Sequence, residues 1–156
     1  MSKTKKRLFD IITIFPEMIA PYIGASILGR AQEKDLIKIT AHNLRDWTSD
    51  KHHSVDDTPY GGGPGMLMKV EPFEKAVREI GKRQEGRGKR RIILTSASGK
   101  IFTQKDARRL AKYDQLIFLC GRYEGVDHRV EEHIADETFS IGGYVLTGGE
   151  LPALVM

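Results

Sequence analysis

Cysteine is almost absent from this sequence: Cys120 stands alone among 156 residues. One thiol cannot close an intrachain disulfide, so no oxidising compartment is required. Its place at the end of an apolar run marks it as a buried structural thiol rather than a nucleophile. Long apolar runs are missing as well; stretches such as 116–120 fall far short of the roughly 20 residues that cross a bilayer. The opening Met1-Ser2-Lys3-Thr4-Lys5-Lys6-Arg7 leads into a strand without a cleavage-site pattern, so the expectation is a cytoplasmic protein with no membrane partner. Nucleotide fingerprints are absent too. The run Gly61-Gly62-Gly63-Pro64-Gly65 is followed by Met66-Leu67-Met68-Lys69 rather than by Lys-Ser/Thr at a helix start. That excludes a phosphate loop, and no G-x-G-x-x-G follows a strand.

What is present describes one domain. Hydrophobic residues at 40% and charged residues at 29% suit a globular chain long enough to bury a core. The net charge of +4 points only mildly to an anionic partner, but its distribution says more. Residues 78–112 carry 12 Lys/Arg against three acids, whereas residues 124–137 carry six acids and one Arg. One surface is therefore suited to a polyanion and another is not. The segment 81–89 is also the composition of a solvated loop. Among the histidines, His128 and His133 are five apart and share no helix face, so solvated histidines fit better than a metal site, and no metal ligand is assigned.

Along the chain, β-branched and aromatic residues predict a buried strand over 9–15. Helical pieces follow over 17–20 and 26–34, the second with Ser26 as its cap. A strand over 37–42 completes a β-α-β opening, which argues for a parallel α/β sheet with flanking helices. Residues 44–58 are polar and aperiodic, a surface loop expected to be functional or mobile; within it 51–58, with little apolar surface to pin it, is expected to be mobile without RNA. A helix over 71–80 tolerates Pro72 in its first turn. A strand over 91–95 runs into a small-residue turn at 96–99. Thr103 caps a helix over 104–111, a buried strand spans 115–120, and Asp127 caps a helix ending near Ala135. A last helix begins at Gly149.

Three strands thus end in glycine-bearing loops, at 96–99, 121–127 and 141–149. In open parallel sheets the carboxyl ends of the strands form the ligand crevice. Glycines there let backbone approach a flat ligand, because no Cβ intervenes. For the 61–65 run, a structural turn and a cleft wall fit equally well.

Three motifs together resemble one family. They are Asp57-x-Pro59-Tyr60-Gly61-Gly62-Gly63-x-Gly65-Met66, then Cys120-Gly121-Arg122-Tyr123-Glu124-Gly125-Val126-Asp127, then Ser140-Ile141-Gly142-x-Tyr144-Val145-Leu146-x-Gly148-Gly149-Glu150-Leu151. Ile14-Phe15-Pro16-Glu17 and Asp50-Lys51-His52 match as well. The set is similar to the bacterial tRNA (guanine-N1)-methyltransferases of the SPOUT class. The resemblance implies methyl transfer from S-adenosyl-L-methionine to N1 of the guanosine just 3′ of the anticodon of tRNA. It also implies a homodimer and a trefoil-knotted parallel sheet; spacing and periodicity alone predict an unknotted, doubly wound sheet.

Carried onto this sequence, the resemblance places Ser96, Gly99, Gly121, Tyr123, Ile141, Gly142, Gly143, Tyr144, Val145, Leu146, Gly148 and Gly149 at the cofactor and Glu124 at the reaction centre. Ala97 stands where the family usually has proline, and Gly143 where it usually has aspartate. Removing the N1 proton calls for a general base, and O6 calls for a hydrogen-bond donor. The resemblance assigns them to an aspartate and an arginine in or near the linker to a C-terminal helical domain, so both are expected beyond Met156 and outside residues 1–156. On that expectation the chain stops at Met156 inside its last helix, binds the methyl donor and turns over poorly. The alternative is a cofactor-binding, RNA-associated module without catalysis.

Overall fold

In the computed structural model, residues 5–84, 86 and 88–156 are described. Residues 1–4 of the basic opening, and Glu85 and Arg87 of the 81–89 stretch, lie outside them. The strands are β1 (Arg7–Thr13), β2 (Ile37–Asn43), β3 (Asp56–Asp57), β4 (Leu67–Met68), β5 (Arg90–Ile101), β6 (Gln115–Cys120) and β7 (Glu137–Ser140). The α-helices are α1 (Ala20–Ile23), α2 (Ser26–Glu33), α3 (Val70–Lys82), α4 (Gln104–Leu110), α5 (His128–His133) and α6 (Glu150–Val155).

Among the described residues, five strands form one sheet in the order β2-β1-β6-β5-β7, and every pairing is parallel. A parallel sheet must be covered on both faces, and its strands are correspondingly apolar. All six residues of β6 are buried. Because successive side chains point to opposite faces, Leu116, Phe118 and Cys120 join one core with Phe139 and Ala153. Ile117 and Leu119 join the other, with Phe73, Ile80 and Val130 from α3 and α5. Fully burying one such side chain contributes roughly 1.5–3 kcal/mol. Burial also raises the pKa of the Cys120 thiol, reinforced by the Glu150 charge, as expected of an inert structural cysteine.

Local signals hold at two caps. The Thr103 hydroxyl accepts from the Asp106 backbone N–H and the Asp106 carboxylate accepts from that of Thr103, a complete capping box. Asp127 accepts from the Arg129 N–H at the start of α5. Three expectations are corrected. Ala25, not Ser26, occupies the cap of α2; Ser26 has a positive φ of 51°, which places it inside the first turn in an unfavourable conformation. Residues 96–99 are not a terminal turn. β5 continues to Ile101, and Thr95 and Lys100 both pair with Phe139, so the four residues between them bulge out of one strand. Nor is 51–58 without anchors. Val55 is fully buried, its carbonyl accepts from the Lys69 N–H at 2.7 Å, and Asp56 and Asp57 pair with β4. At the end of α6, Met156 is held by two contacts. Its N–H donates to the Pro152 carbonyl at 3.1 Å, and its side chain packs against the core that holds Phe118 and Ala153, which anchors a helix too short to hold by its own hydrogen bonds.

Candidate functional site

The bulge of β5, the loop after β6 and the loop after β7 meet at the carboxyl end of the sheet. They enclose a cavity of about 180 Å³. Thr95, Ser96 and Ala97 line it from the first segment, residues 121–126 from the second, and Ile141 with residues 144–149 from the third. The geometry follows from the strand register, since β5 lies between β6 and β7. Three chain segments far apart in sequence therefore leave the sheet side by side.

Each wall has a local cause. Tyr123 has a φ of 60° and Gly125 a φ of 126°, so the 121–126 loop turns sharply; a positive φ at a tyrosine is costly and concentrates at functional loops. The segment leading out of the 61–65 run braces that loop. The Glu124 N–H donates to the Met66 carbonyl at 3.2 Å and the Met68 N–H to the Gly125 carbonyl at 3.0 Å. Gly65 lies directly against the Glu124 side chain: a Cβ added there would come within 2.2 Å of its Cγ. Gly149 is wedged between strand ends. An added Cβ would lie 2.0 Å from Thr95 Oγ1 and 2.8 Å from Cys120 Cα, and its N–H donates to the Gly121 carbonyl at 2.9 Å.

Of the residues read from the sequence as cofactor contacts, Ser96, Gly121, Tyr123, Ile141, Tyr144, Val145, Leu146, Gly148 and Gly149 line the cavity, and so does Glu124. Gly99, Gly142 and Gly143 do not line it. A Cβ at Gly99 would meet the Phe139 backbone at 2.7 Å, so that glycine closes β5 back onto β7. Gly142 turns under the Ser140 hydroxyl, which accepts from its N–H at 3.3 Å, while Gly143 faces open space.

Sequence reading missed an ionic cluster behind the wall. The Glu150 carboxylate, 2% exposed, lies 3.1 Å from Arg122 Nη2. It also accepts from Arg122 Nε at 3.2 Å and from the Thr13 hydroxyl at 2.6 Å. Arg122 lies over the Phe15 ring, with Cζ 4.7 Å from the centroid. The usable signal was an acid opening an otherwise apolar helix, together with an arginine at a strand end. Arg122 and Glu124 are the charged residues lining the cavity among those described. No group of three or more His, Cys, Asp or Glu gathers to hold a metal among the described residues, and no described helix is long and apolar enough to cross a membrane.

A family model described as tRNA (Guanine-1)-methyltransferase TrmD matches residues 7–156. The chain belongs to that family. It is 55% identical over 147 residues to a tRNA (guanine-N(1)-)-methyltransferase of Dictyoglomus turgidum, covering 94% of this chain and 58% of that protein. A relative of the same name from Thermomicrobium roseum is 52% identical over 149 residues, covering 95% of this chain and 54% of its own. The crystal structure of tRNA (m1G37) methyltransferase from Aquifex aeolicus matches with a TM-score of 0.86 at 35% identity, over 96% of this chain and 66% of that one. This chain thus spans roughly half to two thirds of these relatives' lengths. The parallel sheet with flanking helices is the architecture that the SPOUT resemblance implied.

Proposed function

We propose that the cavity binds S-adenosyl-L-methionine and that the chain serves methyl transfer to N1 of the guanosine at position 37 of tRNA, just 3′ of the anticodon. One observation carries the reading: the loops that resemble the family's cofactor loops leave three different strands and converge on a single cavity. The lining suits such a group. Backbone N–H and C=O groups of glycine-rich walls match adenine edges, and Glu124 supplies a carboxylate to a wall facing a cation. At about 180 Å³ the cavity is below the roughly 300–1,000 Å³ usual for ligand sites. Tyr144 and Val145, on its outer wall, are exposed.

S-Adenosylmethionine, when bound, supplies a methyl group activated by a sulfonium. The chain's residues would hold and orient it: residues 121–126 and 144–149 would supply the walls, and Glu124 would offer negative charge. Our reading keeps the general base and the O6 donor where the resemblance assigns them, past Met156, in or near the linker to a C-terminal helical domain. The same reading includes a trefoil knot, with which the close approach of Gly149 to Thr95 and Cys120 agrees. It includes a homodimer, supported by Tyr22 of α1 and Leu151 and Val155 of α6, which are exposed on helices packing over one core. A cytoplasmic setting with tRNA as partner agrees with the basic stretch 78–112.

Titration calorimetry with S-adenosylmethionine tests the cavity. Labelled donor with tRNA carrying guanosine or adenosine at position 37 tests the transfer. Saturable binding and guanosine-dependent labelling are expected. A folded protein that ignores the donor would sink the reading, and binding without labelling would leave only the cofactor module.

A further inference from the structure

We infer that Glu150 is a specificity-determining residue that acts through Arg122: by neutralising the arginine on the cavity wall, it leaves Glu124 to set the sign of the charge that the ligand meets. This rests on the reading that the cavity takes S-adenosylmethionine.

The side chains make the case. Arg122 stands on the wall and is 16% exposed. Besides Glu150 it touches the Phe15 ring and the Met18 sulfur, neither of which carries charge. Glu150 is the acid in ion-pair range of it among the described residues. Two oxygens engage Arg122 and Thr13, and both partners are held in turn. The Thr13 hydroxyl accepts from the Phe15 N–H at 2.9 Å, and Gly148 leaves room for the pair, since a Cβ there would lie 2.3 Å from Arg122 Nε and 2.4 Å from Glu150 Oε2.

A neutral glutamine has nearly the same shape and could accept from the same two groups. Burying a carboxylate instead costs desolvation that packing alone does not justify. What the carboxylate adds is charge. With it, the cluster Arg122, Glu150 and Glu124 sums to minus one; without it, to zero.

That difference selects between two ligands of one shape. S-Adenosylmethionine carries a sulfonium cation, whereas S-adenosylhomocysteine, which lacks the methyl, is a neutral thioether at the same sulfur. A unit charge about 8 Å away, at an effective dielectric of about 20–40, changes binding of a cation by roughly five- to thirty-fold and that of a neutral group little. A merely structural role would weaken both ligands in parallel.

The experiment measures Kd for both ligands by calorimetry on the full chain. Glu150→Gln should lower the preference for the cation roughly five- to thirty-fold. The double variant Arg122→Met/Glu150→Gln removes both charges together, a change that buried pairs often tolerate, and should return the preference to within about twofold of the parent. Should Glu150→Gln alone not fold, Glu124→Gln on the exposed wall gives the sign: a preference lowered roughly five- to thirty-fold supports the inference, and an unchanged or raised one overturns it. Parallel loss of both ligands in Glu150→Gln also overturns it. If the parent binds neither ligand, the underlying reading fails instead; if it binds both and the ratio stays fixed across variants, only this inference falls.

Discussion

Two glycine-rich stretches look alike in sequence and differ in kind in the fold. In the run from Gly61 to Gly65, Gly62, Gly63 and Gly65 have φ values of +74°, +118° and +86°, yet a Cβ at Gly61, Gly62 or Gly63 would meet nothing within 4 Å. Glycine is used there for its backbone freedom. At Gly148 and Gly149 no positive φ occurs, and an added Cβ would run into the Arg122–Glu150 pair or into Thr95 and Cys120. There, glycine is used for the absence of a side chain. Gly65 belongs to both kinds, with a positive φ and the Glu124 side chain against it. Density of glycine therefore says that a loop is special without saying why.

The sharpest break of the comparison is Gly149→Ala. Its new methyl meets backbone at Cys120 Cα, 2.8 Å away, which no rotamer change relieves. A loss at or above the roughly 1–3 kcal/mol typical of overpacking is expected in urea unfolding. An unshifted midpoint would mean that the wedge between the strand ends is misplaced. Gly148→Val follows, because its Cβ meets the flexible ends of Arg122 and Glu150. The variant should remain folded, lose about 1–2 kcal/mol and bind S-adenosylmethionine at least about tenfold more weakly by calorimetry, a change of about 1.4 kcal/mol. Parent-like affinity in a folded variant would remove this loop from the site.

Across the comparison, Gly62→Ala has space but the wrong backbone sign. It should cost about 1–2 kcal/mol in thermal unfolding and leave donor affinity unchanged. A larger loss would show that the run is packed against something. The smallest effect belongs to Gly61→Ala, which has open space and no positive φ. It should be neutral or stabilise by up to about 1 kcal/mol through the unfolded chain, and a clear destabilisation in the same melts would erase the distinction between the two stretches.

Sequence reading succeeded where cause and effect lie within a few residues. The Thr103 capping box spans three positions, and Asp127 caps its own helix two residues on. β6 was legible because six buried residues in a row leave few other options. Ser26 failed because the capping preference is a weak local term, and the chain entering α2 was fixed one residue earlier. The 51–58 stretch read as unanchored because its one apolar residue, Val55, is fully buried against partners in other elements. Ser96, Gly121 and Gly148 could be singled out by resemblance, but nothing local distinguished them from Gly99 or Gly143, which do not line the cavity.

The sequence by itself determined most of the main helices and strands, the parallel α/β class, the buried thiol and the motifs that mark the family, because periodicity, caps and glycine spacing act over short stretches of chain. Only the tertiary structure decided which glycines face the cavity, that residues 96–99 are a bulge, and that Glu150 meets Thr13 across 137 residues and Arg122 across 28. The reason is physical: close contacts between distant segments depend on strand order and register, and these are set by how two cores fill on either side of the sheet rather than by any one segment's preference.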